Sequence, residues 1–576
     1  MAATVKEHTT EIPFEEVKAD FVVVGGGMAG ICAAVAAARA GVDTVIVQDR
    51  PMFGGNASSE IRMWICGAHG ADNKETGILE ELLLENLYYN PTLKFNVWDD
   101  VMYSFVWRQP NLRLFLNCAV HAVETVDGTI KAVTGWHMQR QTEIRFTGKF
   151  FADCSGDSVL RYSGAEYRWG RESRDEFNES HAPEVADKKT MGNSIMIQLR
   201  KVKQHHPFRA PAWAYHYTDE TAPKRPLTPT GHNFWWLEFG GVKDTIADAD
   251  AISHELLKIA YGTWEYIKNH PDGRGREWEL DWIGSLPGKR ENVRYVGDHV
   301  LSQTEVEAGG PFADAVCHGG WSMDDHNPEA INFPGAPTIF HPAPSPYNIP
   351  YRCLYSRNVT NLFFAGRNAS ATHMAMSSTR VMATAATMGQ AVGTAAAIAL
   401  REHTTPRGVY EKHLHELQQT LLRHDQWIPN CPREVSPLAL RGTVSHEVLR
   451  NGIDRAQGKT TNALDLPAGG SCEYRFATPE TIGGARLVFD SNLADDKRMR
   501  CIDDGDVYHE MPATLARSYV IEAEVDGRWV AMATVAENLR RYVEHAWEPV
   551  RATALRLTIA ASWGGAPARV FDFEPE

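Results

Sequence analysis

Six consecutive residues carry the first sign of chemistry. Gly25-Gly26-Gly27-Met28-Ala29-Gly30 has the spacing G-x-G-x-x-G, directly after the apolar run Asp20–Val24 and directly before the Ala-rich stretch Ile31–Ala40. In such a turn Gly25 permits the tight bend, Gly27 lets the backbone approach a pyrophosphate, and Gly30 lets helix and strand pack closely. The start of the helix, with Met28 and Ala29, presents unpaired N–H groups to phosphates. Thr44–Val47 reads as a second strand, so the strand–helix–strand context of a dinucleotide site is complete. Without that context the motif would be only a glycine-rich turn of some α/β protein. The ribose-binding acid is due 23 residues after Gly25, where the sequence has Gln48, with Asp49 next to it. A carboxylate accepts from both ribose hydroxyls, whereas Gln offers one acceptor and one donor group. Either Gln48 substitutes or Asp49 turns in, with Gln48 the preferred of the two.

The segment after the second strand distinguishes between cofactors. Arg50-Pro51-Met52-Phe53-Gly54-Gly55-Asn56-Ala57-Ser58-Ser59 resembles the stretch that wraps the ribityl and isoalloxazine portion in FAD-dependent oxidoreductases of the glutathione-reductase type. Phe151–Asp157 (FADCSGD), with Asp153 and Gly156, looks like that family's returning strand end, and Asn361–Gly366 (NLFFAG) like the late strand that closes over the flavin. Gly389 and Gly393 lie in the helix after it, as in related flavoproteins. These segments keep the expected order over about 400 residues, and the stretches GGNASSEIRMW, PGKRENVRYVGDHVLSQTEV and AGRNASATHMAMSSTRVMAT are similar to a bacterial group of FAD-dependent oxidoreductases that accompanies carbohydrate degradation. The resemblance implies FAD as cofactor. It is broken at Arg367, where the family has an Asp that holds a ribityl hydroxyl. Arg only donates, so it is expected to face a phosphate or the substrate. No second glycine turn with strand–helix context occurs, so no NAD(P)H domain is expected.

Flavin supplies the redox step and the protein supplies position and acid–base help. Oxidation of an alcohol needs a base near the hydroxyl, commonly His. Among 23 histidines His373 is the best placed, between the late glycine and a long helix read as Arg380–Leu400, with Ser377 and Ser378 as N-caps. The helix N-terminus is expected to keep this imidazole neutral and able to accept a proton. Packing or capping is the bland alternative. Fumarate-reductase-like flavoproteins also place a His and an Arg after this glycine, but at a spacing shorter than His373 to Arg380, so their roles are not transferred. Glu60, Arg62 and His69 are second candidates, against a surface salt bridge, and Arg290 and His299 are third, against solvated charges. The middle of the chain holds Trp169, Trp213, Trp235, Trp236, Trp264, Trp278 and Trp282, seven of its 16 Trp. Such faces stack on sugars, or simply fill the core of an irregular domain. Asn56-Ala57-Ser58 matches a glycosylation sequon, which is empty in a cytoplasmic chain.

These residues must be positioned by several elements. The reading is an α/β chain: a Rossmann-like FAD-binding domain with an inserted α+β cap and a C-terminal all-β sandwich. The FAD-binding domain spans 17–165 and 286–402, the substrate or cap region 166–285, a helical connector 403–436, and the sandwich 437–576. Within the first part, Leu112–Asp153 reads as a β-meander with the turn Asp127-Gly128. The cap has one clear helix, Ala251–Lys268. The strands after Pro437 include the hairpin YVIEAEV-DG-RWVAMATV, whose Asp526-Gly527 suits a type I′ turn. The sandwich resembles galactose-binding-like modules of carbohydrate enzymes and is expected to be separable, with a structural or oligomerising role as the alternative.

Composition bounds the rest. With 576 residues, 43% hydrophobic and 23% charged, the chain has ample core for several domains. Its net charge of −15 argues against nucleic acid. No apolar leader is seen in MAATVKEHTTEIPFEE, and Val381–Leu400 reads as a buried helix rather than a membrane span. Nine scattered cysteines without C-x-x-C indicate neither a dithiol centre nor a metal site, and suggest reduced thiols in a cytoplasmic protein. The leading expectation is an FAD-dependent dehydrogenase or oxidase acting on an alcohol carbon of a carbohydrate or glycoside, with hydride passing to flavin N5. The alternatives are a redox-neutral elimination, epimerisation or glycoside cleavage through a transient keto intermediate, and a non-catalytic carbohydrate-binding protein. The partner is then a small-molecule or oligosaccharide substrate. The electron acceptor is open among oxygen, a quinone, a carrier protein or the product, and so is the oligomeric state, homo-oligomers included.

Overall fold

The computed structural model describes residues 12–229, 234–495, 497, 499, 502–503 and 507–576. The stretch read for a leader falls largely on residues 1–11, outside the described residues. Phe21–Val24 is four consecutive buried apolar residues, the composition of a parallel strand covered on both faces. It is the middle of a five-stranded parallel sheet in the order Leu362–Phe364, Phe150–Asp153, Phe21–Val24, Thr44–Val47, Leu112–Phe115. Leu112–Phe115 therefore belongs to this sheet and not to the meander. The meander consists of Cys118–Val126, Thr129–His137 and Thr142–Thr147, to which Phe14–Lys18 adds as a parallel edge strand. Asp127 and Gly128 have φ of 48° and 68°, the two positive values a type I′ turn requires.

Two helices cover one face of the parallel sheet, Met28–Arg39 and Met382–Arg401. The second is long and apolar enough to cross a membrane, but it lies mostly buried inside the protein. It starts two residues later than the sequence suggested. A separate short helix, His373–Thr379, precedes it, so Ser377 and Ser378 sit inside that helix and Val381 occupies the N-cap of the long one.

The cap region has its own core of Ile197, Trp236, Leu256, Ile259, Trp264 and Trp278, organised around the helix Ala249–Asn269. Trp236, Trp264 and Trp278 are thus spent on the cap's interior, which is the bland alternative for this cluster.

After Pro437 a seven-stranded antiparallel sheet forms. Its two long strands, Ser471–Phe489 and Tyr542–Ser562, bend at irregularities in their register and pair with each other along most of their length, so the sheet folds over one core in the manner of a sandwich. Asp526 and Gly527 again show positive φ, 50° and 72°.

This region is bound tightly to the rest. The fully buried Arg486 donates to Asp572 at 2.7 Å, to Asp454 at 2.7 Å and to the Arg423 carbonyl at 2.9 Å. Arg433 reaches Asp572 at 2.6 Å, Arg541 reaches Asp425 at 3.0 Å, and Arg455 donates to Thr76 at 2.9 Å. Ile502–Asp503 even adds a parallel strand to the cap's Ile197–Lys201. Separability is therefore not what the contacts favour. Removing one partner of such a buried network leaves uncompensated charge, so Arg486→Ala is expected to cost about 3–5 kcal/mol in urea unfolding. Deleting residues 437–576 is expected to yield aggregate on size exclusion. A monodisperse, folded 1–436 fragment would show the contact network to be dispensable.

Candidate active site and cofactor cavity

A cavity of about 360 Å³ opens at the carboxyl ends of the parallel strands, where ligands of open α/β sheets bind. The glycine turn forms its middle. Gly25 has φ +102°, and a Cβ there would lie 2.4 Å from the Ser155 nitrogen, so only glycine fits between the two strand ends. At Gly30 a Cβ would lie 1.8 Å from the Gly25 carbonyl oxygen. Gly27 is the opposite case: a Cβ would meet nothing within 4 Å. Its surroundings are open space in the cavity, at the N-cap of Met28–Arg39, where no side chain caps the first turn.

Most of the residues singled out for a cofactor line this cavity: Gly25, Gly27, Met28, Ala29, Gln48, Asp49, Arg50, Gly54, Gly55, Asn56, Gly156, Gly366 and Arg367. Their side chains divide by what they bond. Gln48 is buried and its Oε1 accepts the Gly26 N–H at 2.7 Å, so it is committed to shaping the turn. The acceptors left at the ribose end are carboxylates, Asp49, exposed and 3.5 Å from Arg50, and Glu60 beside it, and the preference for Gln48 yields to Asp49. Arg367 also departs from expectation. It donates to Asp157 at 2.7 Å, to the Gly156 carbonyl at 2.9 Å and to the Lys289 carbonyl at 3.2 Å, and so joins three loops instead of awaiting a phosphate. Burial raises the Asp157 pKa, but Arg367 and Lys289 outweigh it and hold that carboxyl below its ordinary value.

Gly30 packs beneath the turn, and two further residues, Ser58 and Asp153, lie behind the wall. Ser58 donates to the Gly55 carbonyl at 2.7 Å. Asp153 accepts from the Ser155 N–H and hydroxyl, the Leu160 N–H, the Tyr295 hydroxyl and Asn368, all at 2.7–3.2 Å. It is a structural carboxylate with no capacity spare for a ligand.

The catalytic candidates are redistributed more strongly. His373 is buried, 1% exposed, and does not face the cavity. Its Nδ1–H donates to Glu291 at 3.0 Å and its Nε2–H to Asp325 at 3.2 Å. Burial would lower its pKa, but the two carboxylates override that and push it up to about 10. With both ring nitrogens engaged by carboxylates and no place in the cavity wall, His373 is not positioned to act as the base. The partial charge of the helix terminus is outweighed by the two full charges beside the ring.

Arg62 stacks on the Trp282 ring at 4.2 Å and bonds Gln198, which ties the cap to the cofactor domain. Glu60 lines the cavity beside Arg50 and Asp49, at the ribose end; burial raises its pKa and Arg50 partly offsets the rise. His69 stacks on Trp321 at 4.5 Å and faces a neighbouring cavity. His299 pairs with Glu305 at 3.0 Å, away from both.

Another part of the cavity wall has a different character. Trp64, Ser194, Arg290, Trp321, Asp324 and Arg380 line it. Arg380 donates to Asp324 at 3.0 Å. His326, 2% exposed, lies 3.2 Å from Asp324 and 2.6 Å from Glu238, while Arg290 stands 3.5 Å from Glu238. Burial opposes ionisation of Asp324, yet His326 and Arg380 hold its pKa far below the ordinary value. A chain Asp324–His326–Glu238 therefore leads from the cavity into the cap. Sequence reasoning named Arg290 and Arg380 but missed Asp324, Trp64 and Trp321. Asp324 and His326 alternate with Asp325 in one short strand, a pattern indistinguishable from an ordinary polar strand.

The model of the FAD dependent oxidoreductase family matches residues 20–421. The chain belongs to that family. It is an FAD-dependent oxidoreductase by descent, and a search of curated proteins found no match. Among solved structures it is similar to a geranylgeranyl bacteriochlorophyll reductase-like protein of Thermoplasma acidophilum (13% identity, 71% of this chain and 86% of that one, TM-score 0.33). It is also similar to the quinol fumarate reductase FrdA of E. coli (11%, 71% and 75%, TM-score 0.27). A family 32 carbohydrate-binding module of Streptococcus pneumoniae EndoD is similar over 24% of this chain and 99% of that one, at 16% identity and TM-score 0.19.

The cavity of this oxidoreductase suits FAD. The open space at Gly27 admits a pyrophosphate against the helix start. Asp49 would take the ribose, Ala119 and Val120 flank the adenosine end, and Asn56, Gly55 and Gly366 would border the flavin half. The purified protein is expected to be yellow, and Gly27→Val to lose FAD because the branched side chain fills the pyrophosphate's space; a yellow Gly27→Val protein would refute this placement. His373 yields a second expectation, about stability. Its folded pKa of about 10 exceeds the ordinary 6.5, so its contribution is complete below pH 6.5 and is lost as pH rises toward 10. His373→Gln should lower the thermal midpoint at pH 6 and flatten its decline between pH 7 and 10, checked by melting curves across that range.

Proposed function

We propose that this oxidoreductase oxidises an alcohol carbon of a carbohydrate or glycoside. When bound, FAD would supply the acceptor for the hydride, at flavin N5. The observation that carries the reading is the make-up of this part of the cavity: Trp64 and Trp321 beside Ser194, Arg290, Asp324 and Arg380. Aromatic faces pack against the C–H surface of a sugar ring, while convergent donors and an acceptor fix its hydroxyls and thereby its register.

Asp324 is the group suited to receive the alcohol proton. Its pairing with Arg380 keeps it ionised, and an ionised carboxylate only accepts hydrogen bonds. A low pKa makes it a weak base by itself. The adjacent His326, 3.2 Å from Asp324 and 2.6 Å from Glu238, holds that carboxylate in place. Arg290 and Arg380 would donate to oxygens as the hydroxyl becomes a carbonyl.

Anaerobic mixing of the yellow protein with a panel of sugars and glycosides, monitored by absorbance, tests the reading. At least one compound is expected to bleach the flavin, and it should stay bleached without an added acceptor. Asp324→Asn should retain FAD yet slow bleaching on the order of a hundredfold. Recovery of colour with no acceptor would mean a redox-neutral reaction instead, and wild-type bleaching by Asp324→Asn would remove Asp324 from the chemistry.

A further inference from the structure

A second cavity, of about 370 Å³, lies beside the first. Met63, Trp64 and Trp321 line both, so at this place the partition is a single layer of side chains. Much of the remaining wall is apolar, with Ile65, Leu79, Leu83, Phe95, Trp98 and, from the C-terminal region, Met499, and it is interrupted by His69, Lys74, Glu75, Glu80, Asn86, Asp495 and Lys497. We propose that this second cavity binds a quinone-class acceptor that takes electrons from reduced FAD across the Trp64–Trp321 partition. The inference rests on the reading that reduced FAD forms in the neighbouring cavity.

The polar groups of this cavity argue for that ligand class over a sugar. Glu75 already accepts from the Ala68 N–H at 3.0 Å and from Thr384 at 2.7 Å, and Glu80 accepts from Lys497 at 3.0 Å. The Trp98 indole donates to the Ala57 carbonyl at 3.1 Å, and Lys74 to the Asp495 carbonyl at 2.7 Å. A polyhydroxylated ring would bury several hydroxyls that each need a partner, whereas a dione has two carbonyl oxygens to satisfy. A flat aromatic dione has two acceptors and no donors, and its faces suit tryptophan and phenylalanine walls. The volume is that of a small-molecule pocket.

The partition fits electron transfer as well. A hydride needs its donor and acceptor in contact, whereas electrons cross one aromatic layer. The net step is reduced FAD plus quinone giving oxidised FAD plus hydroquinone: two electrons cross the partition, the flavin releases its protons to solvent on its own side, and the hydroquinone takes two protons from solvent on the other. Ala494, Asp495, Lys497 and Met499 close the chamber from the C-terminal region, which gives that region a part in the redox cycle.

Menadione is the probe. Equilibrium dialysis is expected to show one site on the FAD-loaded protein and on the apoprotein. Leu83→Trp and Ala494→Trp, substitutions in the two parts of the chain that wall the chamber, should each weaken it by roughly tenfold or more while FAD is retained. After anaerobic photoreduction, reoxidation by menadione should saturate in the wild type and lose saturation in both variants. Ferricyanide, which needs no pocket, should reoxidise all three alike. Binding untouched by both substitutions, or reoxidation linear in menadione for all three proteins, overturns the proposal. So does competition for the site by methyl β-D-glucoside, which would assign the chamber to a sugar. A chain that binds menadione but no FAD fails the cofactor reading instead.

Discussion

Where Met28–Arg39 packs against Met382–Arg401 there is no space for a β-carbon. A Cβ at Gly389 would lie 2.0 Å from the Ala29 carbonyl oxygen, and one at Gly393 would lie 2.1 Å from that of Ala33. This backbone-to-backbone approach joins segments more than 350 residues apart in the chain. It brings Gly366 and Arg380 to the same cavity as Gly27, with the late strand Leu362–Phe364 set beside Phe150–Asp153. Asp153 then locks the joint, because one buried carboxylate receives hydrogen bonds from the loop after it, from Tyr295 and from Asn368. Everything at the site is referred to this pair of helices.

Between the cofactor domain and the cap lies a layer of buried charge. His373 joins Glu291 and Asp325, Arg294 joins Glu172 and Glu291, and His326 joins Glu238 and Asp324. Buried ions of this kind need several partners each to offset desolvation. Most of them have those partners within the protein and serve to orient the cap. Only where the layer meets the cavity, at Arg290, Asp324 and Arg380, does it become available for chemistry. Two histidines in similar carboxylate pairs thus differ in role by position, since His326 is one bond from the cavity and His373 has no access to it.

The C-terminal region is held by arginines as well as by apolar contacts, among them Leu84 within its core. Arg486, Arg433 and Arg541 bridge it to the connector, and Arg455 reaches Thr76, whose neighbour Glu75 lines the second cavity. The region also contributes Met499 to the core of the cofactor domain. Its placement is therefore coupled to the loop Met63–Ala71, and through Trp64 and Trp321 to the site itself.

Local rules decided what was legible from sequence. The glycine turn, its strand and its helix depend on φ, on Cβ clearance and on short-range periodicity, all written in consecutive residues, and they appeared where expected. The two Asp-Gly turns are of the same kind. The family assignment was legible for a related reason, since several such local signatures recur in a set order. What the sequence could not express was the pairing of charges distant along the chain. Whether Gln48 or Asp49 faces a ribose depends on the Gly26 N–H, and whether Arg367 meets a phosphate depends on Asp157. The protonation of His373 depends on Glu291, 82 residues earlier. Electrostatic energies vary with distance and burial, which exist only once the chain is folded. The identity of the cofactor was thus set by local backbone chemistry, and the assignment of acid, base and partition was left to tertiary structure.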